Sequence, residues 1–186
     1  MAKQRPITGV ELTVDPKRLV VSKTDLTGKI VYANDYFRAL SGYSRSELIG
    51  APHSILRHPD MPRIVFKRMW DQISQTKREI FAYVVNRAAN GDHYWVVAHV
   101  TPSFGPTGTL SGYHSNRRAV DRDVVRDVIE PLYAEIQAAE KAAGARAAEL
   151  DAGQDALTGF LDGQGVDYDE FVVRLATGRW VDGKAA

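Results

Sequence analysis

The sequence predicts an α+β fold: a five-stranded antiparallel sheet with short helices on one face, followed by a C-terminal amphipathic helix. Three observations predict it. Two β-rich runs lie near the N-terminus, three more follow residue 78, and the stretch between them carries helix caps and helical spacing. Strands and helices segregated in this way favour an antiparallel sheet over a doubly wound parallel one.

Residues 1–17 are polar, hold Pro6 and Pro16 and keep no period, so they read as an N-terminal arm or cap. Leu19-Val20-Val21 and Lys29-Ile30-Val31-Tyr32 predict a hairpin, with Asp25 to Gly28 as its turn. Asn34 can cap a short helix over Asp35–Leu40, because its side-chain oxygen can accept an orphan backbone N–H. Gly42 ends that helix. Ser44 and Glu47 form a capping box for the next, which Gly50-Ala51-Pro52 stops. From Pro62 to Ser74, Ile64, Val65, Met69 and Ile73 keep helical spacing with Pro in the first turn. Strands are expected at about 79–87, 93–103 and 110–118, joined by Asn90-Gly91 and Pro106-Thr107-Gly108. Alternation along the second of these places Tyr94, Val96, Ala98 and Val100 on one face and His93, Trp95, Val97 and His99 on the other.

From Asp121 to Leu150, Val124, Val125, Val128, Leu132 and Ile136 give an amphipathic helix that Pro131 should kink, before alanines take over. Residues 151–186 are rich in Gly and Asp, with one short helix around Tyr168–Ala176, and read as a small docking or capping element. Asp155–Phe160 and Asp162–Phe171 echo a cyclase opening and an EF-hand. Too few residues follow the first for a catalytic domain, and the second has Gly159 and Leu161 where calcium ligands belong. The expected organisation is an arm (1–17), a sensory domain (18–119), a helix (120–150) and the C-terminal element (151–186).

Composition bounds the functions. A length of 186 residues suits one domain with extra helix. A net charge of +1, from 24 basic and 23 acidic residues, gives no reason to expect a nucleic acid or an anionic membrane as partner. The absence of cysteine excludes disulfides, thiolate metal sites and thiol chemistry. No apolar run approaches the ~20 residues of a membrane span. No signal core follows Arg5, so a cytoplasmic location is expected.

Five short motifs occur in order: Val21–Asp25, Tyr32-Ala33-Asn34-Asp35, Leu40–Ser44, Arg57-His58-Pro59-Asp60-Met61-Pro62 and Asn90–Trp95. Together, over residues 7–120, they resemble PAS sensor domains, in particular those of aerotaxis receptors. The resemblance implies a sheet wrapped around a central pocket that holds flavin, usually FAD, noncovalently. In that family the Arg and the acidic residue of the Arg57–Pro62 run are associated with flavin. A guanidinium suits pyrophosphate, and a carboxylate can orient it. Asn86 matches an amide that bonds the flavin pyrimidine edge in related light-oxygen-voltage domains. The photoreactive cysteine of those domains falls on His53, which rules out thiol-adduct photochemistry. Ile80 and Ala82 stand where aerotaxis-type members commonly carry Trp and Gly. The common Ser-Val-Arg of the last strand reads Ser115-Asn116-Arg117. Trp70 or Tyr83 would then supply the stacking aromatic.

The implied cofactor-binding set is Asn34, Arg57, His58, Asp60, Trp70, Tyr83 and Asn86. Rival readings are a haem held by one of His53, His58, His93, His99 and His114, another small ligand, or a cofactor-free interaction module. Trp95 on the outer sheet face, with Val124, Val128, Leu132 and Ile136 of the following helix, implies either a covered sheet or a homodimer contact that passes a signal to a partner protein. No Ser-His-Asp order, phosphate loop or carboxylate pair marks an enzyme.

Overall fold

The computed structural model describes residues 5–181 and 184–185; the ends of the expected arm and C-terminal element lie outside the described residues. Strands β1 (Val20–Thr24) and β2 (Ile30–Ala33) form the first hairpin, and β3 (Ile80–Arg87), β4 (His93–Phe104) and β5 (Leu110–Arg118) a meander. The sheet is antiparallel with strand order β2-β1-β5-β4-β3, so the first and last strands of the domain meet at its centre.

Local chemistry sets the elements between. In the first turn, Asp25 Oδ1 accepts the backbone N–H groups of Thr27 and Lys29. Asn34 caps α1 (Asp35–Ser41) by accepting from Phe37 N at 2.9 Å, and Gly42 ends the helix at φ +70°. The reciprocal Ser44–Glu47 capping box starts α2 (Arg45–Leu48). A 3₁₀ turn (His53–Leu56) follows, then α3 (Arg63–Asp71), which widens into a π turn (Gln72–Thr76). These helices cover one sheet face, burying Phe37, Leu48, Leu56, Val65 and Ile73 against it.

The chain then leaves β5 into α4 (Arg122–Val124), a π turn (Val125–Ile129) and α5 (Glu130–Ala142). Pro131, which lacks an N–H, sits in the first turn of α5 just after the π turn, so the expected kink takes the form of a widened turn. A single helix over 121–150 does not form. The chain breaks at Gly144 (φ +71°), and α6 (Arg146–Gln164) runs back across the expected 150/151 boundary. Its Gly153 packs against Glu140 and Ile64, where a Cβ would lie 2.7 Å from Glu140 Oε1. Then α7 (Tyr168–Ala176), capped by Asp167, buries Tyr168, Phe171, Val172 and Leu175 in the common core. Residues 151–176 are thus mostly helical, and a short strand pair (Trp180–Val181 with Lys184–Ala185) follows.

The apolar seam of α4–α5 is consumed within the chain. Val125, Ile129, Leu132 and Ile136 are each at most 3% exposed, while Val124 and Val128 are partly buried at the margin of the core. Trp95 on the outer face meets the Tyr133 ring at 6.0 Å. Of the two uses expected for the seam, covering the sheet is the one the structure contains. A dimer through Leu132 and Ile136 would have to open this packing first.

Among the described residues no helix is long and apolar enough to cross a membrane.

Candidate functional site

Between the sheet and the α1–α3 face lies a cavity of about 490 Å³, within the range of small-ligand sites. Alternation along the strands chooses its wall: Ser22 and Thr24 from β1, Val84 and Asn86 from β3, Ala98 and Val100 from β4, and Tyr113, Ser115 and Arg117 from β5. His53 and Arg57 come from the 3₁₀ turn and its end, and Phe66, Met69 and Trp70 from α3. The Trp70 ring lies over Gly28, where a Cβ would stand 2.9 Å from it, and meets Tyr113 edge-on at 5.4 Å.

The polar groups of this wall are unusual in what they lack. Arg117 is 4% exposed. It donates to Ser22 Oγ (3.1 Å) and His53 Nε2 (2.6 Å) and lies 5.4 Å from the Phe37 ring centre, all neutral partners. Burial brings its pKa down to about 10, so it stays cationic at neutral pH. Burial, and then Arg117 itself, push His53 down to about 3, which keeps its ring neutral and able to accept. Asn86 is 3% exposed with its Nδ2 unpartnered, and Ser115 Oγ is likewise buried without a partner. A buried charge facing only neutral groups is costly, as is an unmade amide bond. Both fit a ligand that presents electron-rich and hydrogen-bonding edges to this wall.

Arg57 lies at the half-exposed end of the cavity. Its guanidinium stacks on Phe66 at 4.4 Å, and its pKa is lowered by burial and by the like charges of Arg63 and Arg146. Lys67, Arg63 and Arg146 also line the cavity there; Lys67 pairs with Asp71, and Arg63 with Glu149 at 3.2 Å.

Of the seven residues singled out for a cofactor, the structure brings Arg57, Trp70 and Asn86 to the cavity wall and leaves four outside it. Asn34 is spent on the fold: it accepts from Val21 N and Phe37 N and donates to Leu19 O. Tyr83 is one residue out of phase with Val84 and Asn86, so it faces the other side of β3 and cannot supply the stacking aromatic; its carbonyl accepts from Tyr133 Oη at 2.6 Å. His58 turns away from Arg57 and lies 5.5 Å from the His93 ring. Asp60 is exposed, beside His58, and makes no pair with Arg57. His53 is the one histidine on the wall among the described residues, and Arg117 occupies its Nε2.

Wall residues outside the expected set include Ser22, Phe66, Tyr113, Ser115 and Arg117, with Arg63 and Arg146 at the mouth; His53 was expected only as a haem ligand. The phase of β3 was available from Asn86. The role of Arg117 was not, because only the fold sets it opposite Ser22.

The donor set fits a flavin. Asn86 offers an amide donor and acceptor, Arg117 a cation, Trp70 and Tyr113 aromatic faces, and the mouth a cluster of guanidinium groups for phosphate.

Comparison with known proteins bears on the same region. The chain is 45% identical to the aerotaxis receptor of Escherichia coli (strain K12) over 121 residues, which is 64% of this chain and 23% of the receptor. It is 27% identical over 182 residues to a blue-light-activated histidine kinase of Erythrobacter litoralis, covering 89% of this chain and 49% of the kinase. The chain therefore spans about a quarter and a half, respectively, of these relatives. Among solved structures, a light-oxygen-voltage domain studied with a flavin analogue superposes with a TM-score of 0.51 at 21% identity, over 61% of this chain and 84% of that one. The PAS fold description matches residues 20–115, which supply most of the cavity wall, and the chain belongs to the PAS family.

Proposed function

We propose that this chain is a flavin-binding sensory module, with FAD as its ligand, which reports redox or oxygen state to a signalling partner. The observation that carries the reading is the cavity wall itself, where the free Asn86 amide and the charge of Arg117 stand together. A flavin supplies reversible redox chemistry, and reduction adds electron density to its pyrimidine edge. Asn86 can donate and accept at such an edge. Arg117, held by Ser22 and neutral His53, places positive charge in the same wall, which favours the electron-rich form. Phe66 and Trp70 would flank a ring held in the cavity, and Arg57 would take phosphate at the mouth. Similarity to the aerotaxis receptor supports this reading. The helices after β5, packed on β3 and α3, are the route to a partner.

The absorption spectrum of purified protein incubated with FAD tests it. Bound oxidised flavin is expected. A colourless protein overturns the reading in favour of a cofactor-free module, and a haem spectrum in favour of a haem sensor. Arg57→Ala should weaken FAD binding roughly ten- to a hundredfold. Asp60→Ala should leave binding unchanged, because the side chain lies outside the wall.

A further inference from the structure

The cavity is not closed by the PAS fold alone. Arg146 and Leu150 of α6 line it, although α6 begins about thirty residues beyond the matched region. At this mouth Arg57, Arg63 and Arg146 are near enough for the latter two to depress the Arg57 pKa. The acids beside them are already engaged. Glu140 is 5% exposed and accepts from Arg63 N (3.0 Å) and Ile64 N (2.9 Å), which caps α3. Glu149 pairs with Arg63. Glu140 also attracts Arg57 through space, more weakly than burial and Arg63 oppose its charge, and among the described residues neither Arg57 nor Arg146 is in an ion pair such as the one Arg63 makes. The mouth is therefore a cationic cluster contributed by two separate parts of the chain, and it opens into a cavity whose wall holds the unpartnered Asn86 amide.

We propose that Arg146 joins Arg57 and Arg63 as a clamp for the pyrophosphate of the bound dinucleotide, so that occupancy fastens the α5–α6 hairpin onto the sensory body. This rests on the flavin reading above and adds the element that feels the ligand. A phosphate held by Arg57 and Arg63 on one side and Arg146 on the other would add a tie at the α6 end of the hairpin, where Glu140, the Arg63–Glu149 pair and the contact at Gly153 already join it to α3. By linkage, whatever tightens the hairpin tightens the ligand to the same extent. Glu149 competes with the phosphate for Arg63, so the pair acts as a latch that the ligand displaces.

The test titrates the full chain and its variants with riboflavin, which lacks phosphate, and with FAD. Hydrogen exchange at residues 143–150 is followed in parallel. Arg146 is exposed, so its replacement should not disturb folding. The wild-type chain should bind FAD more tightly than riboflavin, and FAD alone should slow exchange in the hairpin. Arg146→Gln should weaken FAD about five- to tenfold, leave riboflavin unchanged and abolish the slowing. Arg146→Lys should restore part of both, which a stacking role for the planar guanidinium would not allow. Glu149→Gln should tighten FAD. If riboflavin and FAD bind but Arg146→Gln changes neither FAD affinity nor exchange, the clamp is overturned and the flavin reading stands. If neither flavin binds, both fall.

Discussion

The sheet-and-helix body (20–118) and the helical appendage (122–176) bury comparable apolar side chains, but different forces position them. In the body, neighbours in sequence start the first elements: Asn34 caps α1 three residues on, Ser44 and Glu47 cap α2, and Asp25 ties its own turn. In the appendage, the decisive polar bonds are distant. Glu140 reaches the amides of α3 across 77 and 76 positions, Gln137 donates to Pro59 O across 78, and Tyr133 to Tyr83 O across 50. A region built from local signals forms its elements early and holds them. The appendage, joined by these bonds and by the buried Ile129, Leu132, Ile136 and Phe171, is the part whose attachment depends most on contacts distant in sequence.

Three perturbations break or sharpen this contrast. The largest effect belongs to the body. Phe37 is fully buried against the sheet, and Phe37→Ala should cost about 3–5 kcal/mol and bring the appendage down with it in one transition. Urea unfolding followed by circular dichroism would show this, and two separate transitions would mean that the appendage folds alone. Glu140→Ala comes next. It strips the cap from α3 and leaves two amides unpaired, at about 1–3 kcal/mol. The loss should be local: faster exchange in α5 and α6, with β4 and β5 protected as before. Uniform loss of protection would erase the distinction between the regions.

The third perturbation is a pH dependence that originates in the body. His53 has its pKa lowered from 6.5 to about 3, first by burial and then by Arg117. The unfolded chain therefore binds the proton more readily, and stability is fully present above pH 6.5 and lost as pH falls toward 3. His58 and His114, also lowered mainly by burial, add slopes of the same sign. The urea midpoint should fall between pH 7 and pH 4.5, and His53→Asn, which keeps an acceptor for Arg117, should flatten part of that fall. An unchanged slope in the variant would assign the whole effect to the other titrating groups.

The same contrast explains what was legible in the sequence. Strands, caps and turns of the body could be read because each signal sits within a few residues of what it controls. The alternation of β4 placed Ala98 and Val100 on the cavity wall and Trp95 outside it. The helix α6 was illegible because Gly153, Gly159 and Gly163 argue against a helix locally. One of them, Gly153, is there for a close approach to Glu140 that exists only after folding. Asp60 and His58 were grouped with Arg57 through the family motif, yet a turn at Pro59-Asp60, closed by Met61 N donating to His58 O, carries Asp60 out to solvent. Arg117 stood in the sequence only as part of a strand motif. Its isolation from any carboxylate is a property of three dimensions.

Arg57, at the mouth of the cavity, also forms an isolated antiparallel backbone bridge with Asn86 of β3. It places non-sheet chain against β3, the last strand of the sheet, where Tyr133 also bonds the Tyr83 carbonyl. At the opposite end, Ile30 exchanges backbone bonds with Gly50 and Ala51, and the overhang of β4 pairs with Val10 and Leu12 of the arm. The sheet is thus shielded by its own chain at these points of its borders. Strand addition, the common route by which exposed edges recruit other chains or aggregate, is blocked at these borders.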